Sequence, residues 1–301
     1  MGRHMGNGEL LPDALVGTLK DSSALLGKAN ALSERLKADG YLFLRGALPT
    51  ADVLAARAEV LHRLAEVGEV AEPESAGRWS GTSRRAEIAG DLGAFWKSVT
   101  SGPRLRAVSH GGGIHRVNAE ILGAEVIGQD FLYLRAGVPG NGTDLHYDYP
   151  FFARRSDAVV TCWVPLGHVP VEQGPLVLVE GSNRFSDLLE DVRALDVVAN
   201  PGKRAAFETK LRPFVESRRS RLLTADFEPG DIVIMSMFVA HASLDNHTSD
   251  KSIRLSFDVR YQPKNEPIDE RFFGADPIGM TGKGYAELNG AKPLGQSWHQ
   301  R

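Results

Sequence analysis

Ser252-Ile-Arg-Leu-Ser-Phe-Asp-Val-Arg-Tyr261 alternates without a break. Successive side chains of a strand point to opposite sides, so Ile253, Leu255, Phe257, Val259 and Tyr261 share one face. Ser252, Arg254, Ser256, Asp258 and Arg260 share the other. In an ordinary amphipathic strand such a polar face meets water. Two further segments weigh against that here. Over 129–135, Gln129, Phe131, Tyr133 and Arg135 lie on one side, against Asp130, Leu132 and Leu134 on the other. Over 159–163, Val159, Thr161 and Trp163 oppose Val160 and Cys162. Polar groups set singly among aromatic ones suit the mouth of a small barrel that holds a polar ligand.

The rest of the chain fits around these strands. From about residue 125 the pattern predicts strands over 125–136, 157–164, 175–180, 231–238 and 252–262, broken by glycine- and proline-rich turns. Residues 185–217 read as a charged helical insertion. Upstream, the spacing predicts a helix over 22–38, with Asp21 as its cap and Gly40 as its stop. A strand at Tyr41–Leu44 follows, then a helix over 51–67 with Thr50 as N-cap and Leu54, Val60, Leu61 and Leu64 facing inward. Residues 68–90 form a loop long enough to be a lid or a binding segment, as does 196–216. Arg84, Arg85, Arg154 and Arg155 read as solvated loop charges. The residues after 266 are expected to wrap the surface. No repeat and no linker divides the chain, so 6–301 reads as one domain, with Met1 to Met5 as a vector remnant.

Composition narrows the chemistry. The 301 residues are 42% hydrophobic and 24% charged, which excludes a disordered chain and a membrane bundle. A net charge of −3 gives no basic footprint for nucleic acid. With no apolar span of membrane length and no secretion signal, a cytoplasmic protein is expected. The single cysteine, Cys162, rules out an internal disulfide and a multi-cysteine metal cluster, and reads as a small buried hydrophobe. Any metal must therefore be held by histidine, aspartate or glutamate.

His146-Tyr-Asp148 supplies two such ligands. Two residues apart on a strand, they project to the same side. His241 follows the apolar run Ile232-Val-Ile-Met-Ser-Met-Phe-Val239. Two histidines and one carboxylate leave half of an octahedral shell open, which is the ligand set of non-haem Fe(II) oxygenases. His62, His110, His115, His168, His247 and His299 read as bystanders, and His4 belongs to the remnant. His110-Gly-Gly-Gly113 mimics an esterase oxyanion segment, but no G-x-S-x-G elbow accompanies it.

Further motifs surround the triad. They are Trp163-Val-Pro-Leu166, Gly174-Pro-Leu-Val-Leu-Val-Glu-Gly-Ser182, Gly230-Asp-Ile232 and Arg254-Leu-Ser256. In this set the stretch from Gln129 to Gln262 resembles the phytanoyl-CoA dioxygenase-like (PhyH) family of Fe(II)/2-oxoglutarate oxygenases. It departs at Asn183, where a histidine that is not a metal ligand is usual. The resemblance implies a mainly β fold: a double-stranded β-helix, or jelly-roll, with N-terminal helices packed on the major sheet. It implies iron bound by His146, Asp148 and His241, with 2-oxoglutarate and O₂ as cosubstrates. Arg254 would pair with the distal carboxylate of 2-oxoglutarate, helped by Ser256 and by the hydroxyl of Thr161. Gln129 would lie near the metal-bound end, and Trp163 beside the cosubstrate.

The expected reaction is hydroxylation of a small molecule. Desaturation, epoxidation and ring closure use the same triad. Asp148 leaves no vacant ligand position for the chloride of a halogenase. Phe131, Tyr133, Arg135, Tyr147, Tyr149 and Trp79 are the expected substrate walls. Two other classes stay open: a cupin-type metal protein that does not use 2-oxoglutarate, and a non-catalytic barrel. Arg254 and Thr161 weigh against the first and the intact triad against the second.

Overall fold

Two stacked sheets carry the polar-faced strands. The structure is a computed structural model and describes residues 4–197, 199–200 and 208–298. Its sheet strands in chain order are β1 (Val16–Thr18), β2 (Tyr41–Leu44), β3 (Val126–Gly128), β4 (Tyr133–Gly137), β5 (Thr143–His146) and β6 (Val160–Pro165). They continue as β7 (Leu176–Val179), β8 (Leu222–Thr224), β9 (Ile232–Ser236), β10 (His241–Ser243) and β11 (Arg254–Pro263). The larger sheet runs β2-β9-β6-β11-β3, with β4 also paired to β11, and the smaller runs β1-β8-β7-β10-β5. From β4 to β11 the chain passes back and forth between the sheets, with only β7 and β8 staying in the same one. This is a double-stranded β-helix.

The period of two assigns every layer. On the larger sheet, Leu42, Leu44, Val160, Cys162, Val164, Ile232, Ile234, Leu255, Phe257 and Val259 join the core under the N-terminal helices. Those helices include α1 (Ala29–Asp39), α2 (Thr50–Ala65), α4 (Leu92–Thr100), α5 (Pro103–Ser109) and α6 (Gly112–Leu122), with the short α3 (Arg85–Ala89) between α2 and α4. On the smaller sheet, Leu145, Val177, Val179, Leu222 and Ala242 pack outward beneath α8 (Ser186–Ala194) and α9 (Leu211–Arg218). Between the sheets the interior is divided. One half is apolar and filled by Tyr41, Phe43, Trp163, Leu178, Leu223, Val233 and Met235. The other half carries His241, Thr161, Arg254, Ser256, Asp258 and Arg260, all buried. The polar face of the opening stretch thus points inward.

Gly174 shows why the motif around it needs glycine. Its φ is +72°, and a Cβ there would meet the Leu244 carbonyl oxygen at 2.4 Å, where the chain beyond β10 crosses.

Several local expectations need correction. The segment 22–38 is two elements, because Gly27 adopts a φ of +84° before α1 begins. Asp21 caps only the preceding 3₁₀ turn, accepting from the Ser23 backbone N–H at 2.8 Å. Thr50 is the first residue of α2, and its hydroxyl donates to the Pro229 carbonyl. Leu54 is 45% exposed, one residue off the stripe of Val53, Ala56, Val60 and Leu64 and so turned about 100° from it.

The 68–90 segment is pinned rather than loose. Val70–Ala71 pairs with Arg78–Trp79. Arg85 is not solvated but fully buried, with its Nη2 donating to Glu69 Oε2 at 2.5 Å. Its Nη1 donates to the carbonyls of Gly290 and Lys292 at 2.5 and 2.7 Å, and Glu69 Oε1 accepts from the Leu294 N–H at 2.8 Å. This clasp gathers the residues after β11 into a strap instead of a surface wrapping: Tyr285, Leu288, Ala291, Leu294 and Trp298 are all buried. Residue 198 and residues 201–207 of the 196–216 segment, and His299, lie outside the described residues. Among the described residues no helix is long and apolar enough to cross a membrane.

Candidate metal centre

β5 and β10 lie side by side in the smaller sheet with His146 directly opposite His241. Their rings stand 4.2 Å apart between centroids. The strand ends at His146, and the chain turns through Asp148 into the short helix α7 (Tyr149–Phe152), started by Pro150. Asp148 therefore keeps the side of His146, while Tyr147 points the other way into the outer core. One ligand atom each from His146, Asp148 and His241 lies within 4.8 Å of the other two. His146 Nε2 is 3.6 Å and His241 Nε2 3.7 Å from Asp148 Oδ1.

The protonation pattern suits a cation. The Nδ1 of His146 lies 2.8 Å from the Asp144 carbonyl oxygen, and that of His241 lies 3.0 Å from the Val239 carbonyl oxygen. A carbonyl only accepts, so each Nδ1 carries the proton and each Nε2 presents its lone pair toward Asp148 Oδ1. The other carboxylate oxygen is occupied: Asp148 Oδ2 accepts from Thr161 Oγ1 at 2.6 Å and from Arg260 Nη2 at 2.9 Å. Burial would raise the Asp148 carboxyl, but Arg260, then His241 and His146, hold it well below the usual carboxylate range. The donor set thus fits a divalent metal on three ligands, with one carboxylate oxygen turned to it and the opposite side open.

Burial, then the nearby His146, pushes His241 down to about 4. A histidine kept neutral in the folded state adds stability that is full above its ordinary pKa of about 6.5. That stability is lost as pH falls toward 4, because only the unfolded chain takes up the proton. The metal-free protein should therefore be less stable at pH 5 than at pH 7.5, with His241 contributing about 2 kcal/mol. Urea unfolding at both values, against His241→Gln, reads that share. An equal pH dependence in the variant would contradict it.

A cavity of about 450 Å³ opens over His146 and Asp148, lined also by Tyr133, Arg135, Phe151, Phe152 and Arg260 and by residues of the strap. Of the expected substrate residues, the structure brings Tyr133 and Arg135 to this cavity. Arg135 Nε donates to Asp258 Oδ2 at 2.6 Å. The other four lie elsewhere. Phe131 stacks on Tyr285 within the core, and the Tyr147 hydroxyl donates to the Ser182 carbonyl. Tyr149 stacks on Phe238 with its hydroxyl on Asp157, and Trp79 sits in the ribbon beside Val70.

The expected cosubstrate residues divide as well. Arg254 is buried, with Nη1 donating to Ser256 Oγ at 2.7 Å and with Nε and Nη2 unpartnered. Burial pushes its guanidinium down to about 10. An unpaired buried cation of this kind calls for an anion. Thr161 takes a different part from the expected one, since its single proton is committed to Asp148. Gln129 is buried with its carboxamide oxygen unpartnered, and its backbone N–H donates to the Arg260 carbonyl. Trp163 packs against Phe227 in the apolar half, away from the cavity. Asn183 donates weakly to the carbonyls of Lys37 and Ala38, away from the triad.

Arg260 is the main residue that sequence reasoning missed. Its guanidinium lies 4.5 Å from the Tyr133 ring and 3.9 Å from the Phe152 ring, with Nη2 on Asp148. The signal was its parity: it shares a face with Arg254 and Asp258 in the opening stretch.

A family model described as phytanoyl-CoA dioxygenase matches residues 36–255. Among solved structures, the non-heme alpha ketoglutarate dependent carbocyclase SnoK from nogalamycin biosynthesis aligns with a TM-score of 0.59. It is 19% identical, over 92% of this chain and 97% of that one. The epimerase SnoN, solved in complex with Fe3+, alpha ketoglutarate and nogalamycin RO, aligns at 0.54. It is 20% identical, over 84% of this chain and 93% of that one. AviO1 from Streptomyces viridochromogenes Tue57 aligns at 0.50 with 17% identity, over 83% and 99% of the two chains. At these identities the structures speak for the fold.

Proposed function

We propose a function from one premise: the chain belongs to the phytanoyl-CoA dioxygenase (PhyH) family, and is an Fe(II)/2-oxoglutarate-dependent oxygenase that uses O₂. Within that class the reaction proposed is hydroxylation of an unactivated C–H bond in a small molecule. When bound, iron and 2-oxoglutarate supply the oxidising chemistry, in which O₂ and 2-oxoglutarate leave as succinate and CO₂ while C–H becomes C–OH.

His146, Asp148 and His241 would hold the iron. The observation that carries this is the set of two Nε2 lone pairs and one carboxylate oxygen gathered at one point beside the cavity. Thr161 and Arg260 would keep Asp148 ligating through one oxygen, which preserves the open positions. Arg254, supported by Ser256, would take the distal carboxylate of 2-oxoglutarate, since a guanidinium matches a carboxylate with two parallel hydrogen bonds. Phe151, Phe152, Met280 and Leu288 would exclude water from the reacting carbon, and Arg135 would meet a polar group of the substrate. The binding of nogalamycin RO by SnoN supports a small-molecule substrate. The buried Cys162 thiol suits a reducing, cytoplasmic setting.

Anaerobic addition of Fe(II) and then 2-oxoglutarate to the purified protein should produce a weak visible charge-transfer band, absent from His146→Ala. A wild-type protein that shows neither the band nor succinate formation in air would overturn the proposal. Product mass then separates the outcomes, because hydroxylation and epoxidation add one oxygen, whereas desaturation and ring closure remove two hydrogens.

A further inference from the structure

The strap lies beyond the residues that the family model matches. The family match ends at residue 255, yet Met280, Leu288, Gly290 and Trp298, among others from the strap, line the cavity. Trp298 is the last of these lining residues in the chain. Its backbone N–H donates to Asn141 Oδ1 at 3.1 Å, which ties the strap to the loop just before β5. The Trp298 ring lies 6.0 Å from the Arg254 guanidinium carbon and is itself buried.

Arg254 is 1% exposed and is not among the residues that line the cavity. It is enclosed by three neighbours. Ser256 takes Nη1, Trp298 covers it, and Gly137 lies opposite on β4. Gly137 leaves it room, since a Cβ there would come within 3.4 Å of Nη2. Trp298 thus borders the cavity and lies near the unpartnered Nε and Nη2 of Arg254.

We infer that Trp298 partitions the site, forming the wall against which the far end of the cosubstrate lies, so that it sets the length of 2-oxo acid accepted. This rests on the reading that 2-oxoglutarate binds at Arg254. The ring bounds the space beside the guanidinium, so a 2-oxo acid longer by one methylene would meet it. A fixed wall discriminates one methylene by roughly 10-fold or more.

The test is equilibrium dialysis of radiolabelled 2-oxoglutarate against the full chain loaded with Ni(II), with unlabelled 2-oxoglutarate and the longer 2-oxoadipate as competitors. The wild type should prefer 2-oxoglutarate by about 10-fold or more, and Trp298→Phe should retain most of that preference. Trp298→Ala should reduce the preference to near unity. Asn141→Ala, which frees the Trp298 backbone and leaves the indole in the chain, should reduce it in the same direction and guards against a folding defect in the first variant. A Trp298→Ala protein with wild-type thermal stability and unchanged length preference would overturn the inference. A wild type that binds the metal but not 2-oxoglutarate would overturn it together with the proposed function.

Discussion

Arg260→Leu should lower the stability of the metal-free protein by about 3–5 kcal/mol, because it leaves a buried carboxylate without its cation. Asp148 is 2% exposed, and its remaining partner on Oδ2 would be the Thr161 hydroxyl. Burial then acts on the carboxyl without the strongest influence opposing it, and its pKa rises. A protonated carboxyl is a poor metal ligand, so Ni(II) or Mn(II) affinity at neutral pH should fall roughly 10- to 100-fold, the range for partners that orient metal ligands. The loss should shrink as pH is raised, because the carboxylate is then restored. Bound metal replaces the missing positive charge, so the stability deficit should also be smaller in the metal-loaded variant. Calorimetric metal titration at two pH values and urea unfolding with and without metal read all of these. Unchanged affinity in a folded Arg260→Leu protein would show that Arg260 has no hold on the Asp148 ligand.

The second large effect lies far from the metal. Glu69→Ala should cost about 3–5 kcal/mol, a large part of a typical domain's stability, by stranding the Arg85 guanidinium in the core. Arg85 is fully buried between Phe95 and Trp96, at 5.2 and 5.0 Å from their rings, and keeps only the neutral carbonyls of Gly290 and Lys292. Ser83 Oγ and the Leu294 N–H lose their acceptor at the same time. The double variant Glu69→Leu/Arg85→Met should recover most of the loss, since a buried pair replaced by apolar groups of similar volume is close to neutral. Urea midpoints measure the energies, and protease cleavage between residues 275 and 298 reports release of the strap. Equal stability of Glu69→Ala and wild type would remove the clasp from the account.

The layers were legible because period-two alternation is a local property that survives folding. Every residue of the opening stretch from Ile253 to Tyr261 lies on the face that its parity assigns. The three-residue strands were not legible. Val16–Thr18 and Leu222–Thr224 are too short to show a period, and they are strands because they pair with each other. The triad could be proposed from spacing and motif. The hold on Asp148 could not, because it depends on the register that sets Thr161 opposite Arg260 across β6 and β11. Tyr147 was misjudged through nearness in sequence to the ligands. Its parity, opposite to His146 and Asp148, already turned it away from the cavity. Arg85 and the strap had no local signature, since their burial follows from partners more than 200 residues apart in the chain.

The divided barrel interior bears on the order in which such a protein matures. The half filled by Phe43, Trp163, Phe227 and Met235 closes on itself, and none of its packing borrows an atom from the ligand cluster. Two ion pairs of the other half, Arg260 with Asp148 and Arg135 with Asp258, form without any ion, which leaves Arg254 as its unpaired cation. Folding is therefore expected to finish in the absence of metal, with loading as a later step.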